Sequence, residues 1–131
     1  MRPILSEGDL AVALSGGQAV IYFFVEWSVY AVQGRQRFQE LELLYGHKPE
    51  TSFWFADVSD VDAPAAFIAD WLKTHDSTDI NVSLAACTGN GSIIWLKGGV
   101  IVDAVRSAIN CDLHELRTRT ESSAHEARPH Q

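Results

Sequence analysis

Cysteine is scarce in this sequence, and the two present, Cys87 and Cys111, form no Cys-x-x-Cys pair. No histidine spacing beside them completes a zinc set, so neither a dithiol nor a structural metal is read from them. Basic charge is scarce as well. Seventeen acidic residues stand against ten basic ones, a formal charge of −7. The densest basic stretch, Arg117-Thr118-Arg119, is too little to track a phosphate backbone, and the acid excess disfavours docking on an anionic membrane. Nucleic acid and membrane are therefore not expected as partners. Long apolar runs are missing too: the most apolar stretch, Ala19 to Val25, suits a buried strand and falls far short of a membrane span. The start, Met1 to Glu7, turns acidic before a hydrophobic stretch can form, unlike a secretory signal. A cytoplasmic location with two reduced thiols is the expectation.

What is present is an ordinary globular composition. Of 131 residues, 47% are hydrophobic and 21% charged, enough for one core without disulfide or metal staples. Ser6 and Asp9 precede Leu10, Val12, Ala13 and Leu14, predicting a capped short helix that ends at Gly16-Gly17. Gln18 to Glu26 is β-branched and aromatic without helical period, the pattern of a strand buried on both faces. From about Val29 to Gly46, Val32, Phe38, Leu41, Leu44 and Tyr45 recur near 3.6-residue spacing, predicting an amphipathic helix.

Thr51 to Val58 is the next expected strand. Asp62-Ala63-Pro64 then predicts the start of a helix carrying Phe67, Ile68, Trp71 and Leu72. Asp79 to Ala86 fits a short strand or an extended segment. Ser92–Leu96 and Val100–Val105 flank Lys97-Gly98-Gly99, a hairpin signature. Asn110 is expected to cap a last helix holding Leu113 and Leu116. An ordered domain over 1–120 and a disordered tail over 121–131 follow from the composition beyond Thr120.

The order helix, strand, helix, strand, helix, hairpin, helix resembles thioredoxin, and particular residues carry the likeness. Ile21-Tyr22-Phe23-Phe24-Val25-Glu26-Trp27 is similar to that family's apolar strand ending in Glu-Trp. Phe55-Ala56-Asp57-Val58 is similar to its next central strand, and Ser92 to Gly99 to its late hairpin. The likeness spans roughly residues 6 to 119, and Asp70 to Thr88 aligns poorly with it. It implies an α/β thioredoxin-like fold, a central mixed β-sheet flanked by helices on both faces.

The departures decide what function the resemblance implies. Where the family has Trp-Cys-Gly-Pro-Cys, this chain has Trp27-Ser28-Val29-Tyr30-Ala31. The family's chemistry needs a thiolate at a helix N-terminus and a second thiol to resolve the mixed disulfide. Ser28 and Ala31 stand at those positions. Tyr22 aligns with the family's buried Asp, and Gly91 with its cis-proline, where an ordinary trans loop is expected. Dithiol–disulfide activity is therefore not expected. Trp27, Ser28, Val29, Tyr30, Ala31, Gly91 and Ile109 are the degenerate active-site positions and the candidate binding surface, with another protein as partner, no cofactor and no metal.

Other readings keep a place. Ser28 and Tyr30 resemble the Ser or Tyr with which some glutathione transferases stabilise a bound thiolate, although plain helix capping accounts for Ser28. Cys87 or Cys111 at a non-standard site would make the chain a thiol-dependent oxidoreductase or transferase. Asp57, Asp60 and Asp62 suggest a cation loop but lack the glycine and bidentate Glu of an EF-hand, so turn formation is expected. His47, His75, His114, His125 and His130 show no ligand spacing. The oligomeric state stays open.

Overall fold

A computed structural model describes residues 1–75 and 90–125. In chain order it contains β1 (Arg2–Pro3), α1 (Glu7–Ser15), β2 (Gln18–Phe24), α2 (Val29–Tyr45), β3 (Thr51–Asp57) and α3 (Ile68–His75). There follow β4 (Ile93–Lys97), β5 (Val100–Val105), a 3-10 turn at Ala108–Asn110, and α4 (Leu113–Ala124). The five strands form one sheet in the order β1-β3-β2-β4-β5. β1 and β2 run parallel to β3, whereas β4 is antiparallel to both β2 and β5, so the sheet is mixed.

β2 is central because both of its faces are apolar. Successive side chains in a strand point to opposite faces. Ala19, Ile21 and Phe23 therefore pack with Leu10 and Ala13 of α1 and Ile68 and Leu72 of α3. Val20 and Tyr22 pack on the other face with Phe38, Leu41 and Tyr45 of α2 and Leu116 of α4. Burying side chains of this size contributes about 1.5–3 kcal/mol each. The hairpin from β4 to β5 turns on Gly98 and Gly99, at φ 58° and 80°, the left-handed values that a two-residue hairpin turn requires.

The far end of the sheet is held by a buried polar group. Gln18 is 1% exposed. Its Nε2 donates to the Thr120 carbonyl and to Ser123 Oγ, both at 2.8 Å, while its Oε1 accepts from Thr51 Oγ1 at 3.0 Å. Trp95 Nε1 donates to Thr120 Oγ1 at 3.0 Å. These bonds tie the last turns of α4 to β2, β3 and β4.

Several expected boundaries move. Arg2–Pro3 forms a strand that periodicity does not signal, since two residues have no period. Proline is tolerated there because β1 lies at the sheet edge. The strand from Gln18 ends at Phe24, two residues before Glu26. Asp62-Ala63-Pro64 does not open a helix: residues 60–67 form turns and α3 begins at Ile68. Asn110 belongs to the 3-10 turn, and Asp112 caps α4 instead, its side chain accepting from Glu115 N at 2.7 Å. α4 runs past Thr120 to Ala124, because Ser123 is buried against Gln18 and Glu121 accepts a hydrogen bond from the Tyr45 hydroxyl. The Asp79–Ala86 segment and Cys87 lie outside the described residues.

Candidate functional site

The C-terminal ends of β2 and β3 lie side by side, and the chain leaves β2 through Val25, Glu26 and Trp27 into α2. Ser28 has extended backbone angles, φ −101° and ψ 120°, and its Oγ accepts from Ala31 N at 3.3 Å. This satisfies one of the unpaired N–H groups in the first turn of the helix. Ser28 is buried and Ala31 fully so. Between and beside them, Trp27, Val29 and Tyr30 face outward with exposures of 68%, 65% and 54%.

Trp27 is nonetheless fixed. Its Nε1 donates to the Ser59 carbonyl at 2.9 Å, and Glu26 N donates to Ser59 Oγ at 2.9 Å. Ser59 is oriented in turn by Asp57 Oδ1, which accepts from Ser59 N at 3.0 Å and from Ser59 Oγ at 2.6 Å. The loops after β2 and β3 are thus joined through one serine. Asp60 Oδ1 accepts from Asp62 N at 2.8 Å, the turn-forming use expected of these acids. Among the described residues no group of three or more His, Cys, Asp or Glu side chains is placed to hold a metal ion.

Under the first turns of α2 lies Tyr22. Its ring stacks on Phe38 at 5.1 Å, and its hydroxyl donates to the Ala31 carbonyl. Burial pushes its pKa upward, against a smaller lowering by Arg35, so the hydroxyl stays protonated as a donor. Two glycines make room for it: a Cβ at Gly34 or at Gly91 would come 2.7 Å from Tyr22 Oη. Gly91 would also meet Ala31 Cα at 2.8 Å and the Tyr30 carbonyl oxygen at 3.1 Å. No peptide bond among the described residues is cis, yet Gly91 is not ordinary loop backbone. Its φ of 71° is a value proline cannot adopt.

The structure therefore brings Tyr30, Ala31 and Gly91 into contact, with Ser28 in the same turn. Ile109 is half-buried in the 3-10 turn, its N 3.5 Å from where a Gly34 Cβ would stand. Trp27 leans the other way, toward Ser59. Two residues of this corner, Ser59 and Gly34, are not among the positions that the sequence points to. Nothing in the local pattern singles out Ser59. An isolated glycine in a helical stretch was a readable sign of close approach at Gly34.

Cys111 is half-buried, with Sγ 3.8 Å from Glu115 Oε2. It precedes the Asp112 cap and so lies outside the first turn of α4. Burial raises its thiol pKa, and the neighbouring Glu115 carboxylate raises it further, outweighing Arg119. In a Cys87→Ser background, disulfide-reagent titration at pH 7 is expected to be several-fold slower than for an unhindered thiol. Glu115→Gln should speed it by lowering the pKa. A fast reaction unaffected by Glu115→Gln would contradict this environment.

At the opposite end of the sheet, a cavity of about 210 Å³ is lined by Tyr45, Lys48, Glu50, Glu121 and His125 among others, and contains none of the expected site residues. No helix among the described residues is long and apolar enough to cross a membrane.

No protein-family model and no curated protein matches the sequence. Solved structures do resemble it. The thioredoxin of Fasciola hepatica is 21% identical, with 94% of this chain and 99% of that one covered and a TM-score of 0.62. The oxidised thioredoxin of Plasmodium falciparum is 16% identical, with 95% and 98% covered and a TM-score of 0.65. Thioredoxin O2 of Arabidopsis thaliana, in its oxidised state, is 17% identical, with 92% and 91% covered and a TM-score of 0.60. The chain has the thioredoxin fold, with a mixed sheet flanked by helices on both faces.

Proposed function

We propose that this chain is a redox-inactive thioredoxin-fold module, cytoplasmic, that binds another protein in a chaperone-like or assembly role through the corner at the start of α2. One juxtaposition carries the reading. The two positions where a dithiol would stand are a buried capping hydroxyl and a buried methyl, Ser28 and Ala31, while Trp27, Val29 and Tyr30 face solvent. A serine hydroxyl is not ionised at neutral pH and does not exchange with disulfides, and a methyl resolves nothing. Exposed aromatic and apolar side chains grouped at one spot are the composition of interface anchors. The raised thiol pKa of Cys111 weighs against a displaced thiol site there.

The test has two arms. With a thioredoxin reductase and NADPH, insulin reduction is expected to stay at the no-protein background, and turnover above it overturns the redox part. A photocrosslinking amino acid at Val29 is expected to capture a discrete protein in extract of the native cells. The same group at Leu43, exposed near the other end of α2, should not. Tyr30→Lys should abolish the Val29 adduct. Equal capture from both positions would remove the corner as the contact surface.

A further inference from the structure

The two connections beside the exposed Trp27 carry charges of a single sign. Residues 25–28 and 58–67, the connections leaving β2 and β3, contain Glu26, Asp60 and Asp62 and neither lysine nor arginine, and Asp57 ends β3. Glu26, Asp60 and Asp62 are exposed. Acidic and apolar side chains alternate: Glu26 adjoins Trp27, and Val61 stands between Asp60 and Asp62. Val61 is 91% exposed, so its side chain contributes almost nothing to the fold of the free chain. Because Ser59 joins the two connections, these alternations lie next to one another over the ends of β2 and β3.

Among the described residues, two cations stand near this end of the molecule, Arg106 and Arg35. Arg106 follows β5, which is separated from β2 by β4 on the side of the sheet away from β3. Arg35, on α2, lies over the rings of Phe24 and Phe55, 5.8 and 5.2 Å from their centroids.

We infer that the corner accepts a cationic segment of a partner protein, its basic side chains spaced around an apolar one that seats on Trp27 and Val61. The inference rests on the protein-binding reading and adds the chemistry of the partner. An acidic segment would bring like charge against four carboxylates, whereas lysine and arginine complement them. Their stems also cover apolar surface, and a guanidinium stacks on an indole face.

The experiment is a fluorescence-anisotropy titration of the full chain with three labelled synthetic peptides. The first alternates lysine or arginine with leucine and phenylalanine, the second replaces each basic residue by glutamate, and the third alternates lysine with serine. Binding by the first alone is expected. Asp60→Asn/Asp62→Asn should weaken it roughly tenfold, as expected for two rim charges. That variant keeps a side-chain oxygen at position 60 to accept from the residue 62 N–H. Trp27→Ala should weaken it at least as much. A distal pair with the same change in charge, Glu40→Gln on α2 and Glu50→Gln at the opposite end of the sheet, should cost less than about twofold. Raising ionic strength from about 0.05 to about 0.5 M shortens the screening length roughly threefold and should erase most of the difference.

Equal weakening by the distal pair would reduce the effect to net charge and overturn the inference. Trp27-dependent binding of the glutamate peptide would overturn the cationic chemistry while keeping the corner as a protein contact. No Trp27-dependent binding by any peptide would also overturn it, leaving the photocrosslinking to decide the protein-binding reading separately.

Discussion

Gly91→Ala is expected to lower the free energy of unfolding by about 3 kcal/mol, combining the left-handed backbone cost with overpacking. The new Cβ would stand 2.7 Å from Tyr22 Oη and 2.8 Å from Ala31 Cα, at a φ of 71°. Of these, only the clash with the hydroxyl can be removed by a second substitution. Tyr22→Phe alone should cost about 1 kcal/mol for the lost hydrogen bond. In that background Gly91→Ala should remain destabilising, because the Ala31 contact and the backbone angle persist.

Gly34 behaves differently. Its Cβ would meet Tyr22 Oη at 2.7 Å but everything else at 3.4 Å or more, and its position is helical. Gly34→Ala should therefore destabilise the native chain yet turn neutral or stabilising beside Tyr22→Phe, where the helix preference of alanine, about 1 kcal/mol, is no longer opposed. Urea denaturation of the three single and two double variants measures this. An unchanged cost of Gly34→Ala in both backgrounds would show that the hydroxyl is not what the glycine accommodates.

The second large effect is at Gln18. Gln18→Leu removes a donor to Thr120 and Ser123 and leaves Thr51 Oγ1 without its acceptor, at a cost of about 2–3 kcal/mol. Gln18→Glu should cost more at neutral pH, because a carboxylate faces the Thr120 carbonyl and can donate nothing to it. Burial raises the folded-state pKa of such a carboxyl above its unfolded value. The native state is then the one that holds the proton, so the deficit is smallest near about pH 4 and grows as pH rises through the folded-state pKa. Thermal melts across pH, with wild type alongside, test the sign. A deficit that grows as pH falls would exclude the Gln18 amide as the donor that matters. Hydrogen exchange in the last turns of α4 should quicken in both variants.

How far the sequence foretold this structure depended on whether the cue was local. β2, α2 and the β4–β5 hairpin were legible because apolar period and paired glycines act over a few residues. Ser6 was legible as a cap for the same reason. The sequence does not signal α4 beyond Thr120 because the partners of Ser123 and Glu121, Gln18 and Tyr45, are far away in sequence. The Asp62-Pro64 signal misplaced α3 because the same residue types open turns as well as helices. At the corner, the resemblance to thioredoxin presents Tyr22 and Gly91 as two separate losses. The structure makes them one fitted pair, with Gly34 as a third member that no alignment to a motif would have raised.

The hydrogen bond from Trp27 to the Ser59 carbonyl also bears on how tightly any partner can be held. An exposed indole on a swinging side chain must give up rotamer freedom on contact, typically about 0.5–1.5 kcal/mol. Here the ring is already anchored to a carbonyl whose own residue is held by Asp57. Most of that entropy is surrendered when the chain folds rather than when it binds. The gain corresponds to roughly two- to tenfold in affinity without one added contact. In the proposed binding, Asp57 would thereby act by keeping the ring still without touching the partner.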